Sequence, residues 1–227
     1  MEQLLLDIAL PSPPTLADFV PGRNRELLQT LDNMLAGRER FVYLWGATGC
    51  GRSHLLQAVV TAGVLNNLNV MYIECGGTDD MSIPFAADSA ADCVAVDDVE
   101  RLSASAQIGL FNLYNRMRDE GHARLLVSGS VAPAQLGLRE DLVTRLGWGL
   151  VYQVHELTEE DKAQAMQSHA ASRGFNLPQE VSDYLLRHGR RDLPSLIAAL
   201  DALDRYSLAN RRQVTVPLLR ELLRGAP

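Results

Sequence analysis

The chain is predicted to be α/β, a parallel sheet packed between helices with a separate helical unit after it. Short continuous apolar runs near 41–45, 70–74, 93–97, 124–128 and 150–154 alternate with amphipathic stretches near 52–66, 104–120 and 139–146. Strands that are apolar on both faces and separated by helices belong to a sheet covered on both sides. From about residue 157 such runs stop, and helical periodicity takes over near 158–172, 178–187, 193–208 and 216–224. A length of 227 residues corresponds to about 1.5 domains at roughly 150 residues each, one medium unit and one smaller. The expected division is a tail over 1–14, an α/β core over 15–156 and a helical unit over 157–227.

Each element has its own local reason. The tail holds Leu4–Leu6 and then Pro11-Ser12-Pro13-Pro14, which cannot continue a helix and favours an extended chain. A helix follows from about Asn24, with Leu27, Leu28, Leu31, Met34 and Leu35 at helical spacing and Gly37 as its stop. In the next helix Leu55, Leu56, Val59 and Val60 supply a buried face. Thr158-Glu159-Glu160-Asp161 is a capped helix start, its acids favoured by the positive end of the helix dipole. Val214-Thr215-Val216 is expected to add a short extended piece before the last helix.

Composition excludes several classes. With 47% apolar and 22% charged residues the chain buries a sizeable core. Acidic residues outnumber basic ones 28 to 21, giving a net charge of −7, which disfavours broad binding of duplex nucleic acid through its phosphates. No apolar run approaches the roughly 20 residues of a membrane span, and Glu2 and Asp7 flank a run too short for a signal peptide. Cys50, Cys75 and Cys93 match no zinc or disulfide pattern and read as reduced thiols, pointing to the cytoplasm. His54, His122, His155, His169 and His188 show no metal-ligand spacing. Trp45 and Trp148 are expected in the core.

The sharpest local feature is Gly46-Ala47-Thr48-Gly49-Cys50-Gly51-Arg52-Ser53, after an apolar strand and opening a helix. Glycines let a loop turn its N–H groups around phosphate oxygens, and the helix N-terminus adds positive potential. Gly46, Thr48, Gly49, Cys50, Gly51, Arg52, Ser53 and His54 are the nucleotide-binding candidates. The usual pattern ends in Lys followed by Ser or Thr, the hydroxyl serving Mg²⁺; here Arg52 takes the lysine position, and a planar guanidinium is not interchangeable with an ammonium. The second element is Cys93-Val94-Ala95-Val96-Asp97-Asp98, a buried strand ending in an acid. Asp97 is the candidate for the Mg²⁺ shell together with Ser53. Asp98 stands where many phosphate-loop ATPases carry a water-activating glutamate, one methylene longer.

With these two motifs placed, the chain resembles the AAA+ ATPase modules of the DnaA family, and within them the Hda-like regulatory members. Phe19-Val20-Pro21-Gly22-Arg23-Asn24 resembles the segment lining the adenine pocket, which implicates Asn24. Leu142-Val143-Thr144-Arg145-Leu146-Gly147-Trp148-Gly149 resembles the box holding the arginine finger, which would be Arg145. Read without the family, Arg145 near a helix end pairs with an acid or stacks on the indole. Arg191-Asp192-Leu193 resembles the lid motif whose arginine, here Arg191, senses nucleotide. Arg in place of Lys in the phosphate loop is itself a feature of Hda-like members. Gln3-Leu4-Leu5-Leu6-Asp7-Ile8 resembles the hexapeptide that docks on the bacterial sliding clamp, through Gln3, Leu4, Leu6 and Ile8; glutamine and aliphatic side chains on an extended peptide suit an apolar pocket with a polar rim. Read without the family, this Leu-rich stretch packs on the chain's own core.

The chain also departs from the family. In Leu125-Leu126-Val127-Ser128-Gly129-Ser130-Val131 the sensing aspartate and arginine of DnaA relatives are replaced by Ser130 and Val131. The sequence ends at Pro227 without the helix-turn-helix domain of DnaA, so specific duplex recognition is not expected. The resemblance implies ADP or ATP, with Mg²⁺ as a possible companion, held between core and lid. It implies docking on the beta-subunit clamp of DNA polymerase III, DNA reached through that clamp, contact with DnaA, possible homo-oligomers and no membrane. The implied function is negative regulation of replication initiation, Arg145 promoting hydrolysis of DnaA-bound ATP with weak turnover of its own. Two alternatives stay open: an autonomous AAA+ ATPase of the helicase-loader type, and an adaptor in which nucleotide is only a structural staple.

Overall fold

A computed structural model describes residues 13–76, 91–190 and 192–225. The described residues fall into two units: 13–19 with 24–154, and 20–23 with 155–225. The first is a five-stranded sheet of β1 (Phe41–Trp45), β2 (Val70–Glu74), β3 (Cys93–Asp97), β4 (Arg124–Gly129) and β5 (Leu150–Gln153). Every pairing is parallel, in the order β2-β3-β4-β1-β5. Its helices are α1 (Arg25–Leu35), α2 (Arg52–Leu65), α3 (Ala104–Glu120) and α4 (Glu140–Leu146).

Strand alternation sends successive side chains to opposite faces, and both faces of β1, β3 and β4 are covered, whereas Leu150 and Val151 of the edge strand β5 are exposed. Val42, Leu44, Cys93, Ala95 and Leu126 pack with Leu27, Leu31 and Met34 of α1 and Leu55, Leu56 and Val59 of α2. Tyr43, Val94, Val96, Leu125 and Val127 face Leu110, Leu113, Tyr114 and Met117 of α3 and Leu142 and Leu146 of α4. The continuous apolar runs therefore reflect a true middle layer. Trp45 packs at the edge of the second cluster. Trp148 is a correction: it lies 55% exposed instead of in the core, because it sits in the turn between α4 and the edge strand β5, where only one side has protein to pack against.

The second unit consists of α5 (Glu159–Ser172), α6 (Gln179–His188), α7 (Leu193–Asn210) and α8 (Val216–Gly225) around Met166, Ala170, Leu185, Leu196, Leu200, Leu203, Leu218 and Leu219. Thr158 and Asp161 form the reciprocal capping box expected for α5, each side chain accepting from the other's backbone N–H at 3.1 Å. Asp192 caps α7 by accepting from the Ser195 N–H at 2.9 Å. Val214 and Thr215 form no strand, and Val216 opens α8. Among the described residues no helix is long and apolar enough to cross a membrane.

Candidate functional site

The phosphate loop joins β1 to α2 at the carboxyl edge of the sheet, where open parallel sheets bind ligands. Gly49 and Gly51 have φ of +85° and +103°, values that glycine adopts without a Cβ penalty. At Gly51 a Cβ would also come within 2.7 Å of the Phe19 ring, and at Gly46 within 2.6 Å of the Val154 carbonyl oxygen. Cys50 is buried, while Thr48 and Ser53 are exposed at the loop and the first turn of α2. His54 contacts the Thr15 carbonyl at 3.3 Å and lies beside the Phe19 ring. Asn24, 2% exposed, stands at the N-terminal end of α1.

Arg52 turns inward. Only 8% exposed, it places Nη2 at 3.1 Å from Asp98 Oδ1, while its Nη1 is buried with no hydrogen-bond partner. The two residues expected to serve as phosphate cation and water activator are thus paired with each other. Asp98 adopts φ +56° at the end of β3. Burial, followed by the charge of neighbouring Asp97, pushes its carboxyl above the ordinary aspartate range, with Arg52 pulling the other way.

Asp97, 2% exposed, is held from two sides. Tyr72 on β2 donates its hydroxyl to Oδ2 at 2.8 Å, and Ser128 on β4 donates to Oδ1. Ser128 in turn accepts the Asp98 N–H at 3.0 Å. Burial pushes the Tyr72 hydroxyl up, keeping it a donor. Ser128 was not among the sequence candidates. The positions considered, Ser130 and Val131, lie past the end of β4; the Ser130 N–H goes to Glu100 at 3.1 Å and the Val131 carbonyl accepts from Tyr43 at 2.9 Å. The free thiols Cys75 and Cys93 are pushed to about 12 and about 11, mainly by burial, so they stay protonated at neutral pH.

The loop fits a phosphate ligand on this structure's own terms: two left-handed glycines, a helix N-terminus and a buried guanidinium nitrogen without an acceptor. For magnesium, Ser53 and Asp97 are the protein oxygens on offer. Among the described residues no group of three or more His, Cys, Asp or Glu side chains is placed to hold a metal ion.

Arg145, near the end of α4, is in a different place. Its guanidinium carbon lies 3.9 Å from the centre of the Trp148 ring and 5.4 Å from that of Phe111. Its Nε donates to Asn115 Oδ1 at 3.1 Å. It lines a cleft with Phe41 and Tyr114 at the amino end of β1, whereas the phosphate loop leaves the carboxyl end after Trp45. Four residue steps of about 3.3 Å put those ends roughly 13 Å apart. Arg191, Gln3, Leu4, Leu6 and Ile8 lie outside the described residues.

Residues 159–223 match the family model described as Hda, lid domain. Domain III of the replication initiation protein DnaA from Thermotoga maritima is similar in fold, with a TM-score of 0.74 and 23% identity over 92% of this chain and 95% of that one. AMPPCP-bound DnaA from Aquifex aeolicus gives a TM-score of 0.70 with 21% identity, covering 87% of this chain and 69% of that one. The Holliday junction branch migration motor RuvB from Thermotoga maritima gives 0.68 with 14% identity, covering 93% and 72%. The sheet order β2-β3-β4-β1-β5 is the AAA+ order.

Proposed function

We propose, from the match of residues 159–223 to the Hda lid domain and the fold shared with domain III of DnaA, that the chain is an AAA+ protein and a negative regulator of replication initiation. In this reading it carries adenine nucleotide in its phosphate loop and docks on the DNA-loaded sliding clamp. There it stimulates hydrolysis of ATP held by DnaA, with Arg145 as the finger supplied to that neighbouring site.

The observation that carries the reading is the placement of Arg145. It stands at the amino end of β1, away from the loop at the carboxyl end, so its charge is directed to something other than this chain's own phosphates. A finger supplied in trans neutralises the charge that develops on the transferred phosphoryl group and contributes about 10³–10⁵ in rate in phosphoryl-transfer enzymes. The chain's own site supports the complementary half of the reading. Asp98, the candidate water activator, accepts from Arg52 at 3.1 Å. A bound nucleotide supplies phosphate oxygens for Arg52 Nη1 and the loop N–H groups; magnesium carried with it would take Ser53 and Asp97. The residues thus bind and orient nucleotide, while the base needed for fast turnover is occupied.

Docking on the clamp is assigned to Gln3, Leu4, Leu6 and Ile8 from the resemblance of Gln3–Ile8 to the clamp-docking hexapeptide, whose glutamine and aliphatic side chains suit an apolar pocket with a polar rim. The test is phosphate release from ATP-loaded DnaA with this chain, the clamp and DNA, omitting each component in turn. The expected result is that hydrolysis needs all of them and that Gln3→Ala removes most of the clamp dependence. Equal phosphate release from this chain without DnaA would identify an ATPase in its own right and overturn the reading.

A further inference from the structure

We infer that Trp148 and Asn115 are positioning residues that hold the Arg145 guanidinium in a set direction before any partner arrives. This rests on the reading that Arg145 acts on a neighbouring nucleotide. A guanidinium has two flat faces, an Nε–H edge and a fork edge carrying the two Nη groups. Trp148 takes one face at 3.9 Å, with Phe111 also within cation–π range at 5.4 Å. Asn115 takes the Nε–H edge at 3.1 Å. Among the described residues the fork edge has no hydrogen-bond partner, and this is the edge that recognises phosphate bidentately.

The supports come from two elements with fixed geometry. Phe111 and Asn115 are one turn apart on α3, a helix of 17 residues, and therefore share a face. Trp148 follows Arg145 by three residues, its N–H bonded to the Arg145 carbonyl at 3.1 Å. No acid pairs with Arg145 among the described residues, although its neighbours Arg139 and Asp141 pair with each other at 2.7 Å. An aromatic and amide cradle orients the charge without neutralising it. The 55% exposure of Trp148, set by its place beside the edge strand, leaves the indole available as a platform for the cation.

The experiment has two arms, both on the full chain. The first is spectroscopic. The chain has two tryptophans, so Trp45→Phe leaves Trp148 as sole reporter, and Arg145→Ala in that background is expected to shift and brighten its emission. An unchanged spectrum would overturn the inference. The second follows the rate and half-saturating concentration of stimulated phosphate release from ATP-loaded DnaA. Trp148→Ala and Asn115→Ala are each expected to lower the maximal rate about tenfold, an effect of cation–π size, without moving half-saturation. Trp148→Phe, which keeps an aromatic face, is expected to recover most of it. A loss confined to half-saturation would make Trp148 a partner contact, and failure of Trp148→Phe to recover rate in a folded protein would exclude stacking; either overturns the inference. Full stimulation by Trp148→Ala with none by Arg145→Ala would sink the cradle and keep the finger. Full stimulation by Arg145→Ala would sink both.

Discussion

Arg52 Nη2 lies 3.1 Å from Asp98 Oδ1, with the arginine side chain 9% and the aspartate 27% exposed. A buried cation in a phosphate loop needs a counter-charge, and here the chain supplies one from the end of β3. The second terminal nitrogen remains without an acceptor, so the pair balances the loop only in part and leaves room for phosphate.

Asp98→Asn tests that balance. Asparagine tolerates the left-handed φ at this position and keeps an oxygen for Arg52 while removing the charge. Stability is expected to change by less than about 1 kcal/mol, because loss of the ion pair is offset by relief of a carboxylate that burial and Asp97 already disfavour. Affinity for ADP is expected to rise about tenfold, the effect of removing one competing charge near the phosphates. Titration calorimetry on both proteins reads this, and weaker binding by Asp98→Asn would show that Asp98 supports the nucleotide.

Gly49 and Gly51 separate two costs. Both sit at positive φ, but a Cβ at Gly49 meets nothing within 4 Å, whereas one at Gly51 meets the Phe19 ring at 2.7 Å. Gly49→Ala is expected to cost about 1 kcal/mol from backbone strain. Gly51→Ala is expected to cost about 2–3 kcal/mol, since Phe19 must move as well. Urea denaturation curves compare the two, and equal losses would contradict the assigned role of Phe19.

Ser128→Ala removes a hydroxyl that donates to Asp97 and accepts from the Asp98 N–H at 3.0 Å. Both groups would be left with an unmet bond at a fully buried position. The expected loss is about 1–3 kcal/mol, read by denaturation without nucleotide.

Asp192 ties stability of the helical unit to pH. Hydrogen bonds from Ser195 hold its carboxyl below the ordinary aspartate range, with the nearby charge of Arg190 a smaller contribution. A lowered folded value means that this stabilisation is present above the unfolded value and lost as pH falls through the folded one. Asp192→Ala is expected to lower stability by about 1 kcal/mol at pH 7, with the gap from wild type closing below about pH 4. A gap independent of pH would show that the carboxylate charge is not the cause.

The sheet was legible because its central strands are built on apolar runs, β1 (Phe41–Trp45) entirely and β3 (Cys93–Asp97) in all but its last residue. Cys93-Val94-Ala95-Val96 cannot sit on a half-solvated sheet, and the β3 residues Cys93 to Asp97 are all buried. The phosphate loop was legible because its glycine spacing is a backbone requirement. What joins the site together was not. Arg52 and Asp98 are 46 residues apart, and only the β3-β4-β1 order brings the two loop ends together. Ser128 gave no spacing signal, since a lone serine closing Leu125-Leu126-Val127 reads as a strand end. Its meaning depends on register: Val96 pairs with Val127, which sets Ser128 beside Asp97. Stacking of Arg145 on Trp148 could be read from their separation of three residues, but the exposure of Trp148 could not, because it follows from the edge position of β5.

The most direct measurement of the central claim is single-turnover release of labelled phosphate from ATP preloaded on DnaA, with clamp-loaded DNA and either wild-type chain or Arg145→Ala. The account predicts fast release with wild type, a loss of about 10³-fold or more with Arg145→Ala, and negligible release when the label is preloaded on this chain instead. Release that is as fast with Arg145→Ala, or that comes from label held by this chain, would contradict it.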